Sequence, residues 1–114
     1  MRDLLQHEVS AEMRPLQERL AKMVDLYEQA VKYVNDAGNQ EMHDFLGRRL
    51  YDMTAEIIMA LLLIEDASRA EGDLKVRFTD SANVYVRMVE ENVCAKAYYV
   101  MHFTEADLPA FRAE

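Results

Sequence analysis

The chain reads as an all-α protein, an antiparallel up-and-down four-helix bundle. Two observations predict this. Its apolar residues recur every three or four positions rather than every second one, the spacing of a helix face and not of a strand. It also holds only three Gly and two Pro, too few for the tight turns that a sandwich or barrel of short strands needs.

Each element follows from a break in the chain. Pro15 removes a backbone donor and clashes inside a helix but suits a first helical turn, which predicts a short helix over about Asp3–Met13 and a new one from Pro15. Asp36-Ala37-Gly38-Asn39 ends that second helix, with Gly38 taking the left-handed conformation and Asn39 capping the next. Glu71-Gly72-Asp73 divides the third and fourth helices by the same logic. Thr104-Glu105-Ala106-Asp107 has a capping arrangement and predicts a short terminal helical turn. The core stripes are Leu16, Leu20, Met23, Val24, Tyr27, Val31 and Val34 on the second helix. On the third they are Leu46, Leu50, Met53, Ile57, Ala60, Leu61 and Ile64. On the fourth, Phe78, Ala82, Tyr85, Val86, Val89, Val93, Ala97, Val100 and Phe103 fall within roughly 120° at 100° per residue. Short loops make the long helices antiparallel neighbours, and the whole chain, residues 1–114, forms one domain.

The third helix departs from amphipathicity. Tyr51, Ile58 and Leu62 lie opposite its stripe, and between Ala55 and Ile64 only Glu56 is charged. A helix apolar all round is normally buried all round. Either the flanking helices tilt over this segment or it has a second contact surface, to which Tyr33, Met88 and Tyr98, off their own stripes, are further candidates.

Composition excludes several function classes. The net charge of -8 counts against a nucleic-acid backbone or an anionic membrane as partner, since both reward clustered Lys and Arg. The longest apolar run, Ile57 to Ile64, is far short of the ~20 residues of a membrane span. One cysteine allows no internal disulfide, and the start MRDLLQHEVS lacks the apolar centre of a secretory signal, so a soluble cytoplasmic protein is expected.

Catalytic patterns are missing where a bundle would carry them. A di-metal carboxylate centre needs Glu-x-x-His twice, whereas His43 follows Glu41 by two, His7 precedes Glu8, and Tyr99 stands three before His102. No metal ligands are assigned. Glu56 is the one acid in an apolar segment, a setting that can raise a carboxyl pKa for base catalysis. It lies about 60° from the centre of its core face at 100° per residue, where a boundary carboxylate paired with a cation such as Arg49 is the plainer reading. Cys94, off its stripe and without a neighbouring His, reads as an inert thiol. No Gly-rich phosphate loop or Ser-centred elbow occurs. The outward acids Glu8, Glu12, Asp25, Glu28, Asp36, Glu90 and Glu91 read as a solvated exterior. Eight Met could serve an adaptable groove, although Met23 and Met53 belong to core stripes. A free-standing module for a partner helix or a lipid-like ligand is therefore the alternative function, and it calls for an apolar internal pocket.

The run Leu46-Gly47-Arg48-Arg49-Leu50-Tyr51-Asp52-Met53-Thr54-Ala55-Glu56-Ile57-Ile58-Met59-Ala60-Leu61-Leu62-Leu63 resembles the central helix of the C-terminal domain of long bacterial acyl-CoA dehydrogenases. The likeness extends to Pro15-Leu16-Gln17-Glu18-Arg19-Leu20 and to Ala82-Asn83-Val84-Tyr85-Val86-Arg87 with the helix ending near Phe103-Thr104. These are packing motifs without a catalytic signature. The resemblance implies a helical bundle following a flavin- and acyl-CoA-binding core, in a parent enzyme whose glutamate base and FAD oxidise fatty acyl thioesters. It implies that this segment is a C-terminal fragment of a longer chain, itself non-catalytic and without a cofactor of its own. Its partners would be the parent's upstream domains or another subunit, in a homo-oligomer. Gly47 would admit a close neighbour, and Tyr51, Ile58 and Leu62 would face the parent or a second subunit.

Overall fold

The computed structural model describes residues 2–111. Helix α1 covers Arg2–Leu5, α2 Arg14–Ala37, α3 Gln40–Arg69 and α4 Gly72–His102, followed by a 3-10 helix over Glu105–Phe111. The long helices run up, down and up. The short N-terminal segment lies along α2 and α3, with Arg2 at the level of Asp25 and Glu28 and Ser10 beside Ser68 near the end of α3, and the 3-10 helix follows α4 at the other end. The all-helical bundle predicted from the stripes is the observed architecture.

The breaks work as their chemistry requires. Pro15 sits in the first turn of α2, where its missing donor is not needed. Gly38 adopts φ 63° and its N–H reaches the Asn35 carbonyl, a left-handed exit that a side chain would oppose. Asn39 then caps α3, its Oδ1 accepting from the Met42 N–H at 3.0 Å. The α3–α4 junction differs from the expectation. Helix α3 already ends at Arg69, Gly72 uses its positive φ as the first residue of α4, and Asp73 lies inside the first turn instead of capping it. The terminal turn matches its sequence: the Thr104 N–H donates to Asp107 Oδ2 at 2.9 Å and the Asp107 N–H returns to the Thr104 carbonyl.

The N-terminal helix is shorter than the expected Asp3–Met13. After Leu5 the chain bends, so that Val9 and Met13 turn into the core beside α2 and α3. A continuous helix would carry those two side chains away along a straight axis. The bent path is tied to α3 through His7 with Glu65 and through the Ser10 N–H donating to Ser68 Oγ at 3.1 Å. Arg2 ties α1 to α2 through Asp25 and Glu28.

Most stripe residues are buried, and Met42, Ala30 and Ala67 join them. Tyr27, Val31, Leu50, Phe78 and Tyr85 are half-buried at the margins. Among the described residues no polar or charged one is fully buried, so the core is held by apolar packing alone. Its far end is closed by aromatics. Phe45 and Phe103 stack with centroids 5.1 Å apart, and the Tyr33 hydroxyl donates to the Phe103 carbonyl.

Candidate functional site

Antiparallel packing of α3 on α4 decides what each conspicuous side chain can do. Glu56 meets α4, not Arg49. Its Oε1 lies 3.7 Å from Lys96 Nζ and accepts from Asn92 Nδ2 at 3.4 Å, while Oε2 is buried without a hydrogen-bond partner. Burial first, and the Glu56 charge second, push the neighbouring Tyr85 phenol above the usual tyrosine value. This is a boundary ion pair at a helix seam. The expected pairing of Glu56 with Arg49 is overturned because the two are seven residues apart, about 10 Å along α3 at 1.5 Å per residue. Arg49 faces a different level of α4, its guanidinium 3.9 Å from the Tyr99 ring centroid.

The other chemistry-bearing groups are scattered. His7 is engaged by Glu65 at one end of the bundle. His102 Nδ1 lies 2.8 Å from the Tyr98 carbonyl and its ring stacks on Tyr98 at 4.0 Å. Cys94 is exposed on α4. Among the described residues no three His, Cys, Asp or Glu side chains gather in a way that could hold a metal ion.

What stands out is apolar surface. Tyr51 is 70% exposed and Leu62 41% exposed on the outer face of α3, with Ile58 half-buried between them. Gly47 lies on the same helix with nothing within 4 Å of where a Cβ would stand, so no helix of this chain makes the close approach its lack of a side chain would permit. Met88, predicted for this surface, does belong to an exposed apolar patch. It lines a groove of about 440 Å³ together with Leu63, Val84 and Tyr85, with Asp80 and Ser81 at the edge. The patch continues through Leu63 and Tyr85 to Met59 and Leu62. Tyr33 belongs elsewhere, in the aromatic end of the bundle, and Tyr98 lines a separate groove with Tyr99, His102 and Phe103. The stripes alone miss Met59 and Val84. Their signal was available, since Met59 is three residues from Leu62 and Val84 four from Met88, the spacing of neighbours on a helix surface.

These grooves open to solvent and none is an enclosed chamber. Nor do they suit the two phosphates of a flavin dinucleotide, which call for backbone donors or unpaired cations. The apolar groove between α3 and α4 carries Asp80, the aromatic groove Asp107. A further groove that holds Lys75 also holds Glu12 and Asp80. No described helix is long and apolar enough to cross a membrane.

Comparison with known proteins agrees with this architecture. The family described as acyl-CoA dehydrogenase C terminal matches residues 1–108. No curated protein sequence matches. Among solved structures, the crystal structure of the acyl-CoA dehydrogenase family protein from Porphyromonas gingivalis is similar, with 33% identity over 90% of this chain and 84% of that chain and a TM-score of 0.80. With its bundle, its stripes and nearly its whole length matched, the chain belongs to the acyl-CoA dehydrogenase C-terminal domain family.

Proposed function

We propose that the chain is the accessory helical domain of an acyl-CoA dehydrogenase-type flavoenzyme, non-catalytic in itself, whose work is contact. In this reading the outer strip of α3, marked by Gly47, Tyr51, Ile58 and Leu62, packs against the parent's upstream domains or another subunit. FAD and the fatty acyl-CoA substrate belong to the core of the parent. Glu56, held by Lys96 and Asn92, has the surroundings of a structural carboxylate and is not assigned a catalytic role.

The observation that carries the reading is Tyr51, 70% exposed and in line with Ile58 and Leu62 on a helix whose opposite face is already buried. Covering a large apolar side chain contributes about 1.5–3 kcal/mol when burial is complete. Tyr51 and Leu62, with the half-buried Ile58 between them, therefore offer apolar area whose covering stabilises a contact. The family match supports the domain assignment, and the exposed strip supports the contact role.

The test has two arms. In the parent enzyme, Tyr51→Asp with Leu62→Asp should free the domain, seen as faster limited proteolysis at its junction, while the isolated variant keeps its helical circular dichroism. Protection equal to that of the wild type would refute the docking. The 114-residue chain supplied with FAD and acyl-CoA should reduce no electron acceptor, and turnover would refute the non-catalytic assignment.

A further inference from the structure

The outer face of α4 carries its own apolar centre, and the charges around that centre repeat with two-fold symmetry. Val84 is 60% exposed and Met88 45% exposed. Arg77 and Glu91 stand seven residues before and after Val84, about 10.5 Å to either side at 1.5 Å per residue and within about 20° of its direction at 100° per residue. Asp80 and Arg87 stand four before and three after it, both on the flank turned away from Ser81 and Tyr85, roughly 40–60° from Val84. All four charged residues are exposed, and among the described residues none has an ion-pair or hydrogen-bond partner for its side chain.

An antiparallel copy of α4, related by a two-fold axis passing beside Val84, reverses position along the helix and keeps each flank on its own side. It sets Arg77 opposite Glu91 of the second copy and Asp80 opposite Arg87 of the second copy, each pair occurring twice. The two Val84 side chains meet at the axis, with one Met88 about 6 Å to either side of it along the helices. A parallel arrangement would instead place Arg77 against Arg77 and Glu91 against Glu91, and like charges in apposition select against it. From Asp73 to Tyr98 the paired face runs about 38 Å, and the groove lined by Leu63, Val84, Tyr85 and Met88 adjoins it.

We propose that this face pairs the chain with a second copy of itself through an antiparallel α4–α4 contact centred on Val84. The contact stands apart from the α3 docking described above, because Tyr51 lies outside the paired strip. Sedimentation equilibrium of the full 114-residue chain should show a reversible monomer–dimer system. R77E and E91R should each weaken the dimer about tenfold or more, and the R77E/E91R double variant should restore it, since reversing both members recreates both pairs. Y51D, which lies outside the paired strip, should leave the dimer in place, which separates this result from a failure of α3 docking. An independent check uses V84C in a C94S background, where the lone thiols meet at the axis and should oxidise to an intermolecular disulfide. A chain monomeric at all concentrations, a dimer indifferent to R77E, a double variant without rescue, or V84C without cross-linking would each overturn the proposal.

Discussion

Helix α3 has one face in the core and one face free, and paired truncations on it measure that division. Ile57 is fully buried. Ile57→Ala removes three carbons, worth about 2.4 kcal/mol at ~0.8 kcal/mol each, and the partly collapsed cavity raises the loss to about 3–4 kcal/mol. At ~2.1 cal/mol/K per residue a domain of 114 residues has an unfolding entropy near 240 cal/mol/K, so Tm should fall by about 12 °C or more. Tyr51→Ala removes a larger side chain, but one 70% exposed. The covered remainder is about 60 Å², or about 1.5 kcal/mol. The better helix propensity of Ala returns about 0.5 kcal/mol, leaving a loss of about 1 kcal/mol. Urea unfolding followed by circular dichroism, at concentrations low enough to hold the chain monomeric, gives both numbers on one scale. If Tyr51→Ala costs as much as Ile57→Ala, the Tyr51 ring is buried within the chain and α3 has no free face.

Three further outcomes are expected. Asn39→Ala removes the cap on the Met42 N–H and should destabilise by about 1 kcal/mol, with Asn39→Asp close to wild type in the same urea titration. Gly47→Ala should stabilise the isolated chain by up to about 1 kcal/mol, because Gly47 is inside α3 with open space where a Cβ would go. A loss of stability there would reveal a neighbour pressed against it. Tyr85 should ionise above the ordinary tyrosine value, and Glu56→Gln should bring its phenolate absorbance transition part of the way back, burial being the larger cause. The linkage sign follows from a folded pKa raised above the unfolded one. Tyr85's contribution is complete below the unfolded pKa of about 10 and disappears as pH rises through the folded value, so Glu56→Gln should blunt the alkaline fall in stability.

Legibility from sequence tracked the range of each interaction. Helix stripes are a local property, and the residues read as core from Leu16 to Phe103, Val31 excepted, lie in or against the buried cluster. The misses include Ala30 and Ala67, which carry too little apolar area to signal a face, and the large Met13, Met42 and Leu108, which stand beside helix ends or in the terminal 3-10 helix. The expectation of a helix over Asp3–Met13 rests on Pro15 as the next break, and only bonds to Glu65 and Ser68 on a distant helix disclose the bend after Leu5. The partner of Glu56 is hidden from the sequence for a similar reason. Arg49 was near in sequence, whereas Lys96 and Asn92 come close only through the register of α3 against α4.

The sequence by itself determined the helical class, the breakpoints at Pro15, Gly38 and Asn39, and the excess of apolar character on α3, because periodicity, capping and backbone freedom act over a few residues. The tertiary structure decided which of that apolar surface stays exposed. It placed Tyr33 inside the aromatic end through Phe103 and joined Met59 and Leu62 to Val84 and Met88 across the α3–α4 seam. No single helix contains that patch, since a surface made by two helices exists only once their relative rotation and register are set by the core between them.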